Sequence, residues 1–245
     1  MPHLTIVIAT FNEARRLPAT LTRMAAALRD APFTHDVLIV DDGSVDETVA
    51  WVRSHAANHP EVSCLARSPN QGRGAAIRHG VLHARGDIIL ETDADGSVDD
   101  EALFRFMAFF ADHPDVDVLF GSRQLPDSRI VQWQPPLRVA LGYGFLYLAR
   151  AVLRSPRSTE FTLGFKMFRR AAAQDIFSHQ FDDRYVAEAE IVHVARLRGW
   201  RSRELAVTWT DNRDSRVKAL RDSARSLQGM AGLLAREARG RYGNP

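Results

Sequence analysis

The chain has 245 residues, 45% hydrophobic and 25% charged, with a formal net charge of +2. That length and composition allow a sizeable core in one domain or one and a half, and exclude a disordered chain. The near-balanced charge argues against a dedicated nucleic-acid binder, although plentiful arginine lifts the pI to about 9.0.

In chain order, Leu4–Ala9 is a β-branched run that reads as a strand, and Glu13–Asp30 carries helical spacing through Leu17, Leu21, Met24, Ala25 and Leu28. Val37–Val40 is a second strand stopped by "DDGS", followed by a helix from about Val45 to His55. Val62–Ala66 is a third strand, and "SPNQGRGAAIRHGVLHA" a glycine-bearing loop running into a helix. Asp87–Thr92 is a fourth strand, Asp99–Ala111 a helix, and Val116–Phe120 a fifth strand closed by "GSR". Strands alternating with helices predict a mostly parallel, Rossmann-like sheet flanked by helices, with ligands at the carboxyl ends of the strands. Five polar clusters fall there: "TFNE", "DDGS", "NQGRG", "DADG" and "GSR".

The fourth cluster poses a chemical question. Asp93 and Asp95 are two residues apart, so on an extended chain both side chains point the same way. Such carboxylates repel unless a cation lies between them or one is protonated; an Asx-turn leading into a helix N-cap is the other reading.

The second half differs. Leu137–Leu153 is apolar over most of its length, with Arg138, Arg150 and Arg154 near its ends, and spans about 26 Å as a helix. It reads either as a core helix or as one lying in a membrane interface with Tyr143 and Tyr147 at the headgroups. Phe165–Phe168 and Leu205–Trp209 read as strands, Ala187–Leu197 and Val217–Arg236 as helices. From Arg213 to Arg241 there are eight Lys/Arg against three Asp/Glu, which suits an anionic lipid surface, a nucleotide phosphate or simply solvent. The single cysteine, Cys64, rules out an internal disulfide and fits a reducing compartment. The N-terminus lacks the pattern of a signal peptide, and no apolar run reaches membrane-spanning length.

The ordered set "IVIATFNEA", "VLIVDDGSVDET", "NQGRGAAIRHGV", "GDIILETDADGS" and "FGSR" resembles family 2 glycosyltransferases of the GT-A fold. With "LGYGFLYL", "GFKMFRR" and "ELAVTWTD", the chain is most similar to the polyprenyl-phosphate sugar synthases, in particular the dolichyl-phosphate β-glucosyltransferase branch. The resemblance covers roughly residues 4–220. It implies a glycosyltransferase domain over 1–220, with a nucleotide-sugar half over 1–122, an acceptor half over 123–220, and a basic helix and tail over 221–245.

The resemblance also implies roles. Asp93 and Asp95 match a DxD-type motif holding Mg²⁺ or Mn²⁺ on the donor diphosphate, with Ala94 between them at the donor. Thr10, Asn12, Glu13, Gly43, Asn70, Gly72, Arg73 and Gly74 match donor-binding positions. Asp42 matches a carboxylate that hydrogen-bonds the base, while Asp41 orders the loop. Arg123 matches an arginine that binds the acceptor phosphate, Arg138 resembles a second, and Arg213, Ser215 and Arg216 resemble a segment that closes on the diphosphate. Two departures stand out. Ser97 replaces a glutamine common in the mannosyl branch, and Glu160, Phe161, Thr162 and Leu163 replace the usual residues before Gly164-Phe165-Lys166.

The implied reaction is inverting transfer of a hexose, glucose first, from a nucleoside-diphosphate sugar such as UDP-glucose to a polyprenyl phosphate. The acceptor's phosphate oxygen is the nucleophile, so no strong base is needed. The expected setting is peripheral, at the cytoplasmic membrane face; oligomerisation stays open. One alternative is a soluble saccharide acceptor, with Glu188 or Glu190 as base. Others are a non-catalytic nucleotide-sugar binder and a nucleotidyltransferase, which lacks its triphosphate loop here. A zinc site at His79 and His83 lacks a third ligand.

Overall fold

The computed structural model describes residues 3–184, 186–211 and 219–243. The elements in order are β1 (Leu4–Thr10), α1 (Leu17–Leu28), β2 (His35–Asp42), α2 (Thr48–Ala56), β3 (Val62–Arg67), α3 (Arg73–His83), β4 (Ile88–Asp93), α4 (Asp100–Asp112) and β5 (Val118–Ser122). They continue with β6 (Arg129–Gln132), α5 (Pro136–Val152), β7 (Phe165–Arg169), α6 (Arg170–Ser178), α7 (Ala187–Leu197), β8 (Ser202–Ala206), β9 (Thr208–Thr210) and α8 (Ala219–Ala238). The chain forms two compact units, one of residues 1–96 with 164–178, the other of 97–163 with 179–245.

In the first unit the strand order is β3-β2-β1-β4-β7. The first four strands run parallel and β7 runs antiparallel against β4. Leu4, Ile6, Val7 and Ile8 have no exposed surface, because a central parallel strand is covered on both faces. Helix α3 lies tight on β1 and β2. A Cβ at Gly80 would collide with Val7 Cγ1 and stand 2.6 Å from Val40 Cγ2. Only a bare Cα permits that approach, which fixes where the helix starts over the strand tips. Helix α2 begins at Thr48, later than the apolar spacing implies. The turn before it is closed by Asp46, whose Oδ1 accepts the Thr48 N–H at 3.0 Å.

In the second unit β5 pairs parallel with β8, and β6 pairs parallel with β9. The expected strand over 205–209 is two strands. The chain changes partner at Val207, whose N–H reaches Ser122 O at 3.3 Å while its carbonyl accepts Arg129 N–H at 3.1 Å. Helix α4 buries Ala102, Leu103, Phe106, Met107 and Phe110 on one face, each large side chain contributing roughly 1.5–3 kcal/mol.

Helix α5 bears on one of the two readings of its apolar stretch. Only Leu146 and Ala149 of the helix are buried, and Leu137 and Tyr147 are each 62% exposed. It is not a core helix. It packs on α8, and no helix among the described residues is long and apolar enough to cross a membrane.

Candidate active site

Four loops of the first unit bring one group of candidate residues together. Asn12 follows β1 in a left-handed conformation, φ +56°. Its Oδ1 accepts N–H groups of Val45 at 2.8 Å and Asp46 at 3.3 Å, while its own N–H donates to Ser44 Oγ at 2.7 Å. Glu13 is buried and ion-paired with Arg16. Thr10 donates to Asp41 Oδ2 at 3.2 Å. These residues therefore stitch the first loop to the second.

Both aspartates after β2 are buried. Asp41 accepts the Gly43 N–H at 3.1 Å and the Ser44 N–H at 2.9 Å, as a loop-ordering residue should. Asp42 accepts the Gln71 N–H at 3.1 Å and the Gly72 N–H at 2.6 Å, and Asn70 Nδ2 donates to its carbonyl at 3.0 Å. Loop ordering, read from the sequence for Asp41 alone, thus belongs to Asp42 as well. Gly43 sits at φ +83°, where a Cβ would press on the Asn70 N at 3.1 Å. Gly72, at φ +117°, immediately precedes α3, and Gly74 is buried in that helix's first turn. The first turn of a helix presents unsatisfied N–H groups, the backbone arrangement that suits a phosphate.

Arg73 projects from that turn to the tip of β4. Its Nε donates to Asp93 Oδ1 at 2.8 Å, and its Nη2 lies 3.8 Å from Glu91 Oε1. Burial by itself would lower the guanidinium pKa; the carboxylates of Asp93 and Glu91 outweigh it and raise it. Glu91 is wholly buried in β4 and faces Lys166 of β7 at 3.6 Å. Glu91 and Lys166 escaped the sequence reading. The signal was Glu91, an acid directly after the apolar run "IIL" and two residues before Asp93. Asp95 is half-buried in the turn after β4, where Thr20 Oγ1 donates to the Ala94 carbonyl at 2.8 Å.

Among the described residues, no three His, Cys, Asp or Glu side chains converge as a ready-made metal cage. The donor set nevertheless fits a hard cation. Mg²⁺-type sites use one or two carboxylates and complete the shell with water and substrate phosphates. Asp93 and Asp95 are carboxylates of that kind at the tip of β4, with Asp93 Oδ1 already accepting the Arg73 Nε–H.

The second unit holds a separate group of candidate residues. An open cleft is lined by Arg123 and Arg138 and walled by aromatic side chains, among them Trp133, Tyr143 and Trp209. Arg123, just after β5, donates from Nε to Glu160 Oε2 and from Nη2 to Thr162 Oγ1, each at 2.8 Å. The Trp209 ring lies 5.2 Å from its Cζ. Burial would raise the Glu160 pKa, but the Arg123 charge and hydrogen bonds from Arg123 and Thr162 hold it below the usual carboxylate value. Trp209 is a residue that the sequence reading left without a role. Arg213, Ser215 and Arg216 lie outside the described residues.

Glu190, a candidate base for a soluble acceptor, is a structural carboxylate. It has no exposed surface. Its Oε2 accepts N–H groups of Phe181 at 2.9 Å and Asp182 at 2.6 Å, while Oε1 accepts the Tyr242 hydroxyl and lies 3.2 Å from Arg236 Nη2.

Comparison with known proteins follows the same lines. The model of the family described as Glycosyl transferase family 2 matches residues 5–177. Dolichyl-phosphate beta-glucosyltransferase ALG5C of Trichomonas vaginalis is 32% identical over 225 residues, 88% of this chain and 66% of its own. The dolichyl-phosphate beta-glucosyltransferase of Homo sapiens is 31% identical over 226 residues, 87% of this chain and 69% of its own. The chain thus spans about two thirds of the length of these relatives. Among solved structures, mannosyl-3-phosphoglycerate synthase from Rubrobacter xylanophilus superposes with a TM-score of 0.69 at 18% identity, covering 97% of this chain and 74% of that one. At that identity the likeness speaks for the fold, which is the helix-flanked, mostly parallel sheet expected.

Proposed function

The chain belongs to glycosyl transferase family 2, and from that premise we propose that it transfers a hexose, glucose first, from a nucleoside-diphosphate sugar to a polyprenyl phosphate with inversion. The observation that carries the acceptor class is the cleft of the second unit. Two arginines share it with an aromatic wall, which matches a ligand that is anionic at one end and greasy at the other. The curated relatives bear the name of a dolichyl-phosphate glucosyltransferase; that name favours glucose as the sugar, and UDP-glucose is the donor we put first.

In this reading the first unit holds the donor. The N–H groups at the start of α3 and the Arg73 guanidinium face its diphosphate, and Asp93 and Asp95 would hold Mg²⁺ or Mn²⁺. The ion's contribution is to offset charge on the departing nucleoside diphosphate. Arg123 and Arg138 bind and orient the acceptor phosphate. That phosphate is already anionic near neutral pH, so transfer rests on positioning and charge compensation rather than on a strong base. Of the two carboxylates considered as base for a saccharide acceptor, Glu190 is buried and fully engaged, while Glu188 is half-buried in the first turn of α7.

Contact with a membrane belongs to the same proposal. Val131, Trp133, Leu137 and Tyr147 of the second unit are 60–68% exposed, and Arg138, Arg150 and Arg154 accompany them in sequence. Aromatic and aliphatic side chains beside arginines suit a headgroup boundary, with the enzyme peripheral on the cytoplasmic face. The test is incubation of the protein with a panel of nucleotide sugars, a short polyprenyl phosphate and Mg²⁺ or Mn²⁺, read by product mass. A hexosyl polyprenyl phosphate is expected. Product on a saccharide acceptor but none on the lipid phosphate would overturn the proposal.

A further inference from the structure

We infer that Glu160 is a positioning residue, which with Thr162 fixes the Arg123 guanidinium at the angle the acceptor phosphate meets. The inference rests on the reading of Arg123 as a phosphate ligand and adds what aims it.

Glu160 stands in the loop between α5 and β7 and is 6% exposed. Its two oxygens divide their work. Oε2 accepts Arg123 Nε at 2.8 Å. Oε1 accepts the N–H groups of Phe161 at 3.1 Å and Thr162 at 2.9 Å, and the Thr162 hydroxyl at 2.9 Å. Thr162 Oγ1 in turn accepts Arg123 Nη2 at 2.8 Å. One edge of the guanidinium is thus gripped by two acceptors on the same short loop, and the Trp209 ring lies near its Cζ.

The loop is itself tied down. The Thr159 N–H donates to both Glu204 oxygens, at 2.8 and 3.0 Å, and Ser122 Oγ and Thr159 Oγ1 share a hydrogen bond of 2.6 Å. Ser122 adjoins Arg123, so the end of β5 is joined to the loop at Thr159 as well as through the guanidinium. Arginine offers phosphate a planar fork, and a fork helps only if its plane is set before the ligand arrives. A loose side chain would lose that freedom on binding.

The chemistry demands a carboxylate. Four donors converge on Glu160, and a glutamine amide has one acceptor oxygen and an NH₂ group. Whichever way it turned, NH₂ would face either Arg123 or the loop N–H groups. Replacing Glu160 by Gln therefore frees the arginine or the loop while changing the volume little.

The test measures binding without catalysis. Trp133 and Trp209 line the cleft, so titration of the full chain with farnesyl phosphate can be followed by tryptophan fluorescence. Wild type, E160Q, T162V, R123A and the doubles E160Q/R123A and T162V/R123A are compared. E160Q is expected to weaken binding about tenfold and T162V about threefold in the wild-type background, with less than about twofold effect of either once Arg123 is gone. T162V alters an exposed position, so it decides the matter if E160Q does not fold. Equal weakening in both backgrounds would mean a merely structural role and overturn the inference, as would wild-type binding by both single variants. Wild-type binding by R123A would instead remove the phosphate-ligand reading on which it stands.

Discussion

Arg73 Nε donates to Asp93 Oδ1 across 2.8 Å, tying the first turn of α3 to the tip of β4. Gly164 seals this pair from the side. A Cβ there would collide with Arg73 Nη2 and stand 2.7–2.8 Å from the Asp93 carboxylate oxygens. Gly164→Ala should push the two apart and reduce transfer at least roughly tenfold, with a normal circular dichroism spectrum. Steady-state kinetics beside a thermal melt checks this; unaltered kcat/KM for the donor would contradict it.

Asp95 carries the proposed cation with Asp93. Asp95→Ala should abolish transfer to below about one hundredth of wild type in saturating Mg²⁺ or Mn²⁺. It should also weaken Mn²⁺ binding in the presence of UDP, read by electron paramagnetic resonance. Undiminished Mn²⁺ binding would remove the residue from the metal site.

Arg138 lines the proposed acceptor cleft from helix α5. Arg138→Ala should raise KM for the lipid phosphate about tenfold and leave KM for the nucleotide sugar within about twofold. A parallel rise in both would mean that the residue serves the fold rather than the acceptor.

His193 is buried on α7, with Glu237 Oε2 at 3.1 Å, Arg196 Nη2 at 3.4 Å and the Tyr242 ring edge-on. Burial, aided by Arg196, lowers its pKa despite the opposing pull of Glu237. A histidine held below its unfolded value of 6.5 binds fewer protons in the folded state. The stability it contributes is complete above pH 6.5 and drains away as pH falls below it. His193→Gln should therefore flatten the decline in urea midpoint between pH 7 and 5 relative to wild type. An unchanged slope would show that the imidazole does not titrate on unfolding.

The Tyr242 hydroxyl donates to the buried Glu190 and lies 3.2 Å from Arg236 Nε. Burial, reinforced by the Glu190 carboxylate, raises the tyrosine pKa, so the donor is retained across the working range. Tyr242→Phe should cost about 1–3 kcal/mol, read by chemical denaturation, because Glu190 loses a partner it cannot replace from water. Activity at low temperature should persist.

Local signals carried much of the fold. Apolar β-branched runs marked β1 to β5, and helical spacing located α7 at Ala187–Leu197, its observed bounds. Pairing was less legible. Nothing in "GFKMFRR" announces that β7 runs against β4, because direction is set by partners far away in sequence. The short β6 and α6 carry too few turns or alternations to show a period. In the site, residues within motifs were legible as types, but their engagements were not. Asp42 spends its carboxylate on the backbone of Gln71 and Gly72, and Glu160 is recognisable as Arg123's anchor only once the loop is folded back.

The antiparallel strand β7 has a consequence for anyone cutting this gene. The first unit takes its fifth strand from residues 165–169, contributed after a long excursion of the chain. A fragment stopping at residue 122 would leave β4 with a raw edge, inviting intermolecular strand addition. It would also strand the Glu91 carboxylate inside the sheet with no lysine opposite. Such a piece should gather in inclusion bodies, so the proposed sugar-nucleotide binding cannot be harvested by simple truncation.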